Sequence, residues 1–309
     1  MNLRRTAALV TLPLLLACGR PDATSPTGPP RVLATTGLVA DTARRLGGAE
    51  VVVEGLMGPG VDPHLYKPSE SDVRRLSEAD LILYNGLHLE GKMAELLERL
   101  AHERPVAAVT AALPAAALRS PPEFSGQPDP HVWFDVALWS ETVEPVAEAL
   151  ARVAPAHRET FRERARAYRA ELAELDAWVR ARVAEIPPER RVLVTAHDAF
   201  GYFGRAYGVE VVGLQGISTL SEAGLADVER VVDLVASRKI PAIFVESSVP
   251  RRSIEAVQAA VRSKGGAVEI GGELYSDSLG PADGPAGTYV GMVKTNVDHL
   301  VTALAGVRP

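Results

Sequence analysis

The chain has 309 residues, with 33 Lys and Arg against 39 Asp and Glu and a formal net charge of −6 at pH 7. That balance, with no basic stripe beyond the first residues, excludes the electrostatic footprint of a nucleic-acid-binding protein. A single cysteine, Cys18, excludes an internal disulfide framework, so the fold must rest on a core that a chain of this length can supply in two lobes.

Residues 1–17 read as an export signal. Arg4 and Arg5 form a positive n-region, Ala7 to Leu16 an apolar stretch too short to span a bilayer, and Ala17 a small residue before Cys18. Leu15-Leu16-Ala17-Cys18 is similar to the bacterial lipobox, in which the signal is cleaved before a cysteine that then becomes acylated. The expectation is a mature chain tethered by lipid at Cys18 to the outer face of the cytoplasmic membrane. Residues 18–30 hold four prolines and almost no apolar side chain, so they bury too little surface to offset their ordering entropy and read as a flexible tether.

From Arg31 onward, β-branched runs alternate with helical stretches. Val32 to Thr35, Val51 to Leu56, Leu81 to Tyr84 and Val106 to Val109 read as buried strands. Leu38 to Leu46 reads as a helix stopped by Gly47-Gly48, and Ser69 to Asp72 as a capping box opening a helix to Ala79. A further helix is predicted over Val136 to Val153. This βαβα pattern over 31–154 predicts an α/β lobe with a mainly parallel sheet.

The stretch 155–186 places Phe161, Ala165, Tyr168, Leu172, Leu175 and Val179 alternately four and three residues apart, which is a one-sided helical stripe. Pro187-Pro188 stops it. It is either an ordinary amphipathic helix at the edge of one domain or a stiff backbone running the length of the molecule; the α/β halves on either side favour the second. Over 187–309 the alternation resumes, with strands predicted at Val192 to Thr195, Val209 to Leu214, Ala242 to Glu246 and Ala267 to Ile270. Thr219 and Glu222 are expected to cap a helix reaching about Ser237, and Pro250 to open the next.

Three histidines stand in turn-flanked motifs: His64 in Asp62-Pro63-His64, His131 in Asp129-Pro130-His131, and His197 in Thr195-Ala196-His197-Asp198. Each falls where a strand or loop meets a helix, and binding groups in open α/β sheets gather beyond the carboxyl ends of strands. With Asp277 in Tyr275-Ser276-Asp277-Ser278 they offer three imidazoles and a carboxylate, a set suited to zinc. Ligands some sixty to eighty residues apart need the whole fold to bring them together, unlike a local C-x-x-C or H-E-x-x-H module. Asp62 and Asp129 either orient an imidazole from behind or simply form turns. Asp198 and Glu246 are candidates for the same supporting role or for outer ligands. His88, His102, His157 and His299 lack such motifs and read as ordinary surface or core residues.

GPGVDPHLYKPSESDVRRLSEADLILYNGLHLE, DPHVWFDV, TAHDAFGYFGRAYG, GLQGISTLSEAG, IFVESS and GELYSDSLG, in this order, resemble the zinc and manganese solute-binding lipoproteins of bacterial ABC transporters, the TroA-like or ZnuA-like family. The resemblance covers essentially the whole mature chain. It implies two α/β lobes joined by one long helix, a single metal between them, and ligand positions at His64, His131, His197 and Asp277. Members that prefer manganese commonly have Glu at the position of His197, whereas many zinc-specific members carry a His-rich loop that Ala117 to Pro128 lacks. The chain is thus similar to the TroA-like branch, for which zinc and manganese both stand as cargo.

The implied function is capture of Zn2+ or Mn2+ outside the cytoplasmic membrane and delivery to an ABC transporter permease, with the chain a monomer and not an enzyme. A stiff connecting helix predicts small lobe movements with a loop rearrangement around Asp277. Two other classes are weaker. A metallohydrolase would keep its fourth metal position open for water, where this chain offers Asp277. A surface adhesin is compatible with lipid anchoring, but no repeat announces it.

Overall fold

The computed structural model describes residues 28–306; the export signal, Cys18 and most of the tether lie outside the described residues. The first half carries strands β1 (Arg31–Ala34), β2 (Val52–Gly55), β3 (Leu81–Tyr84) and β4 (Val106–Ala108). They form one parallel sheet in the order β2-β1-β3-β4. Helices α1 (Gly37–Gly47), α2 (Glu70–Glu78), α3 (Ala94–Ala101), α4 (Val136–Ser140) and α5 (Val143–Val153) accompany it. The long helix α6 (Arg158–Ala184) follows. The second half carries β5 (Val192–His197), α7 (Gly201–Tyr207), β6 (Glu210–Gln215), α8 (Leu225–Arg238), β7 (Ala242–Glu246), α9 (Arg252–Ser263), β8 (Glu269–Leu274) and α10 (Tyr289–Ala305). There β5 pairs with β6 and β7 with β8, all parallel, and β5 packs beside β7.

Local chemistry explains several boundaries. Ser69 and Asp72 form the reciprocal capping box at the start of α2, with the Asp72 carboxylate accepting from the Ser69 N–H at 2.9 Å. Every residue of β5 is buried, as befits a strand covered on both faces. In α6 the buried positions are Phe161, Ala165, Tyr168, Leu172, Leu175, Val179 and Val183, the predicted stripe extended by one turn. At 1.5 Å per residue the helix is about 40 Å long.

This helix touches both halves. Arg164 pairs with Glu50 at 2.6 Å and Arg45 reaches Glu171 at 2.6 Å on the first half, while Arg182 pairs with Asp298 at 2.9 Å on the second. Its apolar stripe joins one hydrophobic cluster that includes Val32 and Leu38 on one side and Leu193, Tyr289 and Leu300 on the other. Each fully buried leucine contributes about 1.5–3 kcal/mol, so the core works as a continuous seam under both lobes.

Three sequence expectations change. The helix predicted over Val136 to Val153 is two helices, because the Thr142 hydroxyl donates to the Trp139 carbonyl at 2.7 Å and the N–H groups of Glu141 and Thr142 bond three residues back. Thr219 and Glu222 do not cap α8. That helix starts at Leu225, where the Asp227 carboxylate accepts from the Gly224 N–H at 3.0 Å. Strand β8 runs on through Gly271-Gly272 to Leu274, with a register irregularity against β7 and Gly272 at φ +138°, a conformation that favours glycine.

Candidate metal centre

Four connections carry the candidate residues to one point at the junction of the two halves. After β2 the chain turns through Gly60, whose φ of +73° suits a residue without Cβ, and reaches His64. His131 stands just before the short turn Val132–Phe134. His197 is the last residue of β5, and Asp277 lies in the loop after β8. Trp133 binds these segments together, its indole N–H donating to the Ser276 carbonyl at 2.9 Å.

All four side chains are buried, His64 at 4% exposure and the others at 0–1%. Their facing nitrogen and oxygen atoms lie within 4.8 Å of one another. His64 Nε2 is 3.3 Å from His131 Nε2, Asp277 Oδ1 is 3.3 Å from His131 Nε2, and Asp277 Oδ2 is 3.3 Å from His197 Nε2. Four donors placed 2.0–2.1 Å from one tetrahedral ion would stand about 3.3 Å apart. His197 Nε2 and Asp277 Oδ1 have no hydrogen-bond partner among the described residues, which is costly for buried polar atoms that serve no ligand.

The supporting carboxylates act differently from one another. Asp129 Oδ1 accepts from the His131 backbone N–H at 3.0 Å and lies 2.8 Å from its Nδ1, while Arg119 holds Oδ2 at 2.7 Å. Glu246 Oε1 accepts from the His197 N–H at 2.9 Å, and Oε2 approaches His197 Nδ1 at 2.6 Å without good hydrogen-bond alignment. Carboxylates behind Nδ1 leave the Nε2 lone pairs facing the centre. Asp62 forms no hydrogen bond or ion pair with the His64 ring; it accepts from the His64 backbone N–H at 2.8 Å and from the Thr219 hydroxyl at 2.6 Å. The Asp198 carboxylate forms no hydrogen bond or ion pair with any of the three imidazoles, and its N–H bonds to the Gly216 carbonyl at 3.3 Å.

The electrostatics follow from burial and from these carboxylates. Burial pushes His64 down to about 3, the neighbouring His131 and His197 adding to the effect against the pull of Asp277. Burial also opposes the charge on His131, but the adjacent carboxylates of Asp129 and Asp277 outweigh it and raise the ring to about 9. His197 is raised well above the usual imidazole range, burial again being overcome by Glu246 and Asp277. Asp277, despite burial, is held well below the usual carboxylate range by His197 and His131. Burial thus favours the neutral form of His64, while the neighbouring carboxylates favour the charged form of His131 and His197.

Sequence reasoning missed several partners. Arg119 fixes Asp129, Ser248 donates to Asp277 Oδ2 at 3.2 Å, and Thr219 serves Asp62. Trp133 and Ser248 sit inside the quoted motifs and could have been flagged there; nothing local marks Arg119.

The fold and this cluster define a two-lobed α/β protein with a buried group of three histidines and one aspartate of the kind that holds a divalent metal. The chain belongs to the family described as zinc-uptake complex component A periplasmic (ZnuA), which it matches over residues 32–303. It is 51% identical over 289 residues to the zinc-binding protein TroA of Treponema pallidum, covering 94% of this chain and 93% of that one. It is 48% identical over 275 residues to the manganese-binding lipoprotein MntA of Bacillus subtilis, covering 89% of each. The solved structure of periplasmic zinc-binding TroA from Treponema pallidum superposes with a TM-score of 0.87 over 90% of this chain and 99% of that one, at 51% identity.

Proposed function

We propose that the protein is the extracytoplasmic solute-binding component of a metal-importing ABC transporter, taking up Zn2+ or Mn2+ between its lobes and delivering it to the membrane permease. The observation that carries this reading is the buried quartet His64, His131, His197 and Asp277, whose facing nitrogen and oxygen atoms lie within 4.8 Å of one another, with His197 Nε2 and Asp277 Oδ1 left without a hydrogen-bond partner among the described residues. These four residues are the proposed ligands, with Asp129 and Glu246 orienting two of the rings. The proposed lobes are residues 31–154 and 187–309, joined by 155–186. Its relatives carry zinc-binding and manganese-binding names, which supports the cargo class.

Asp277 fills the position that a hydrolytic zinc site would keep for water, so the reading is transport and not catalysis. Lipidation at Cys18 would hold the protein as a monomer at the outer face of the cytoplasmic membrane, within reach of the permease. The ion itself is decided by supply as much as by ligands, since zinc outcompetes manganese at most nitrogen-rich sites. The test is genetic. Deleting the gene should impair growth in metal-depleted medium, and added zinc or manganese should restore it; rescue by neither overturns the importer reading.

A further inference from the structure

The loop that delivers His64 is seated on the second lobe at two points. The Gly60 N–H donates to the Ser278 hydroxyl at 2.9 Å, and the Thr219 hydroxyl donates to Asp62 Oδ2 at 2.6 Å. The second contact differs in kind, because the other oxygen of the same carboxylate accepts from the backbone N–H of His64 at 2.8 Å. One side chain thus joins a residue 157 positions away in sequence to the main chain of a candidate ligand.

The tie also lies close to the surface. Asp62 and Thr219 line a 240 Å³ surface groove with Leu65, Val249 and Arg252, and Leu65 is half-exposed. Thr219 itself is 8% exposed, so the bond is sheltered without being locked in the core. His64, by contrast with His131 and His197, has no carboxylate behind its ring; Asp129 and Glu246 take that part for the other two. Its position is controlled through its backbone.

We propose that Asp62 is a positioning residue which couples His64 to the second lobe through Thr219, and that this tie sets how slowly the bound ion leaves. The proposal rests on the reading of His64 as a ligand for a transported ion. With the tie made, the loop holds His64 against His131. With it broken, the loop loses its attachment at the Asp62 end and His64 is the ligand that swings away first.

The experiment uses the full chain loaded with zinc(II) and mixed with a chromophoric chelator in stopped flow. Thr219→Val should speed release about tenfold, the scale of a sheltered hydrogen bond to a carboxylate, with little change in the association rate. Thr219→Ser keeps the hydroxyl and should release near the wild-type rate, which separates the bond from a packing defect. Asp62→Ala should release faster still, and adding Thr219→Val to it should change nothing further. Release from Thr219→Val at the wild-type rate, equal acceleration by Thr219→Ser, or additive effects in the double variant would each overturn the proposal. If the wild-type chain holds no zinc, the functional reading itself fails, a result distinct from a loaded chain whose release ignores Thr219.

Discussion

Glu246 meets His197 twice, one carboxylate oxygen accepting its backbone N–H at 2.9 Å and the other lying 2.6 Å from its Nδ1. Because Glu246 ends β7 and His197 ends β5, the adjacent packing of those strands sets the ring's place and puts a carboxylate behind its Nδ1. Glu246→Gln should therefore weaken zinc binding by about 10–100-fold while the fold persists, as expected for a group behind a ligand. Competition against a chelator of known strength reads this directly. Unchanged affinity would reduce Glu246 to a strand-end filler.

Asp277→Ala removes the carboxylate that faces both His131 and His197 at 3.3 Å. Its loss should weaken zinc retention by more than about 100-fold, beyond the range for an outer partner. The variant should gain no hydrolytic activity toward ester or peptide substrates. Metal content after dialysis and a hydrolase screen check the two halves of this statement, and appearance of turnover would revive the enzyme reading.

Proton release gives a sharper test. In the metal-free protein His131 is raised to about 9 and His197 is raised well above the usual range, so both rings favour the charged form at pH 7, while His64, lowered to about 3, favours the neutral one. An ion needs the lone pairs, so about two protons must leave per ion bound, and affinity rises with pH by about 100-fold per unit until it passes the His131 value. Calorimetry at pH 7 in buffers of different ionisation enthalpy should report close to two protons. A value near zero would mean that the rings are neutral before the ion arrives.

Leu172 sits at the middle of the buried stripe of α6, in the cluster shared by both halves. Leu172→Ala should cost about 2–5 kcal/mol by leaving a cavity in that seam. Urea unfolding of the metal-free chain should show one cooperative transition moved to lower denaturant. Two separated transitions would show that the halves unfold independently despite the common core.

Where local pattern coincides with local cause, the fold was legible in the sequence. The capping box at Ser69 and the stripe of α6 rest on residues within a turn or two of their neighbours, and the βαβ alternation on runs that each read locally as strand or helix. Thr219 shows the opposite case: its spacing to Glu222 matches a helix cap, yet its hydroxyl answers to Asp62, 157 residues away. Likewise the strand predicted over Ala267 to Ile270 runs on to Leu274, with an irregularity in its pairing with β7. The four candidate ligands were visible as strand-end and loop motifs, and the structure brings their donor atoms within 4.8 Å. Asp129, two residues from His131, stood in the sequence as a candidate for orienting a ring or for forming a turn, whereas the pairing of Glu246 with His197 was not visible, because those two meet only through the packing of separate strands.

The near-complete enclosure of His64, His131, His197 and Asp277 bears on who can receive the cargo. A free chelator in the same compartment cannot reach a shielded ion to strip its ligands one at a time, so departure has to wait for the polypeptide to move. Whatever molecule provokes that movement then becomes the privileged recipient. Enclosure in this sense acts as an address label: it keeps a scarce ion from being lost to competitors while in transit.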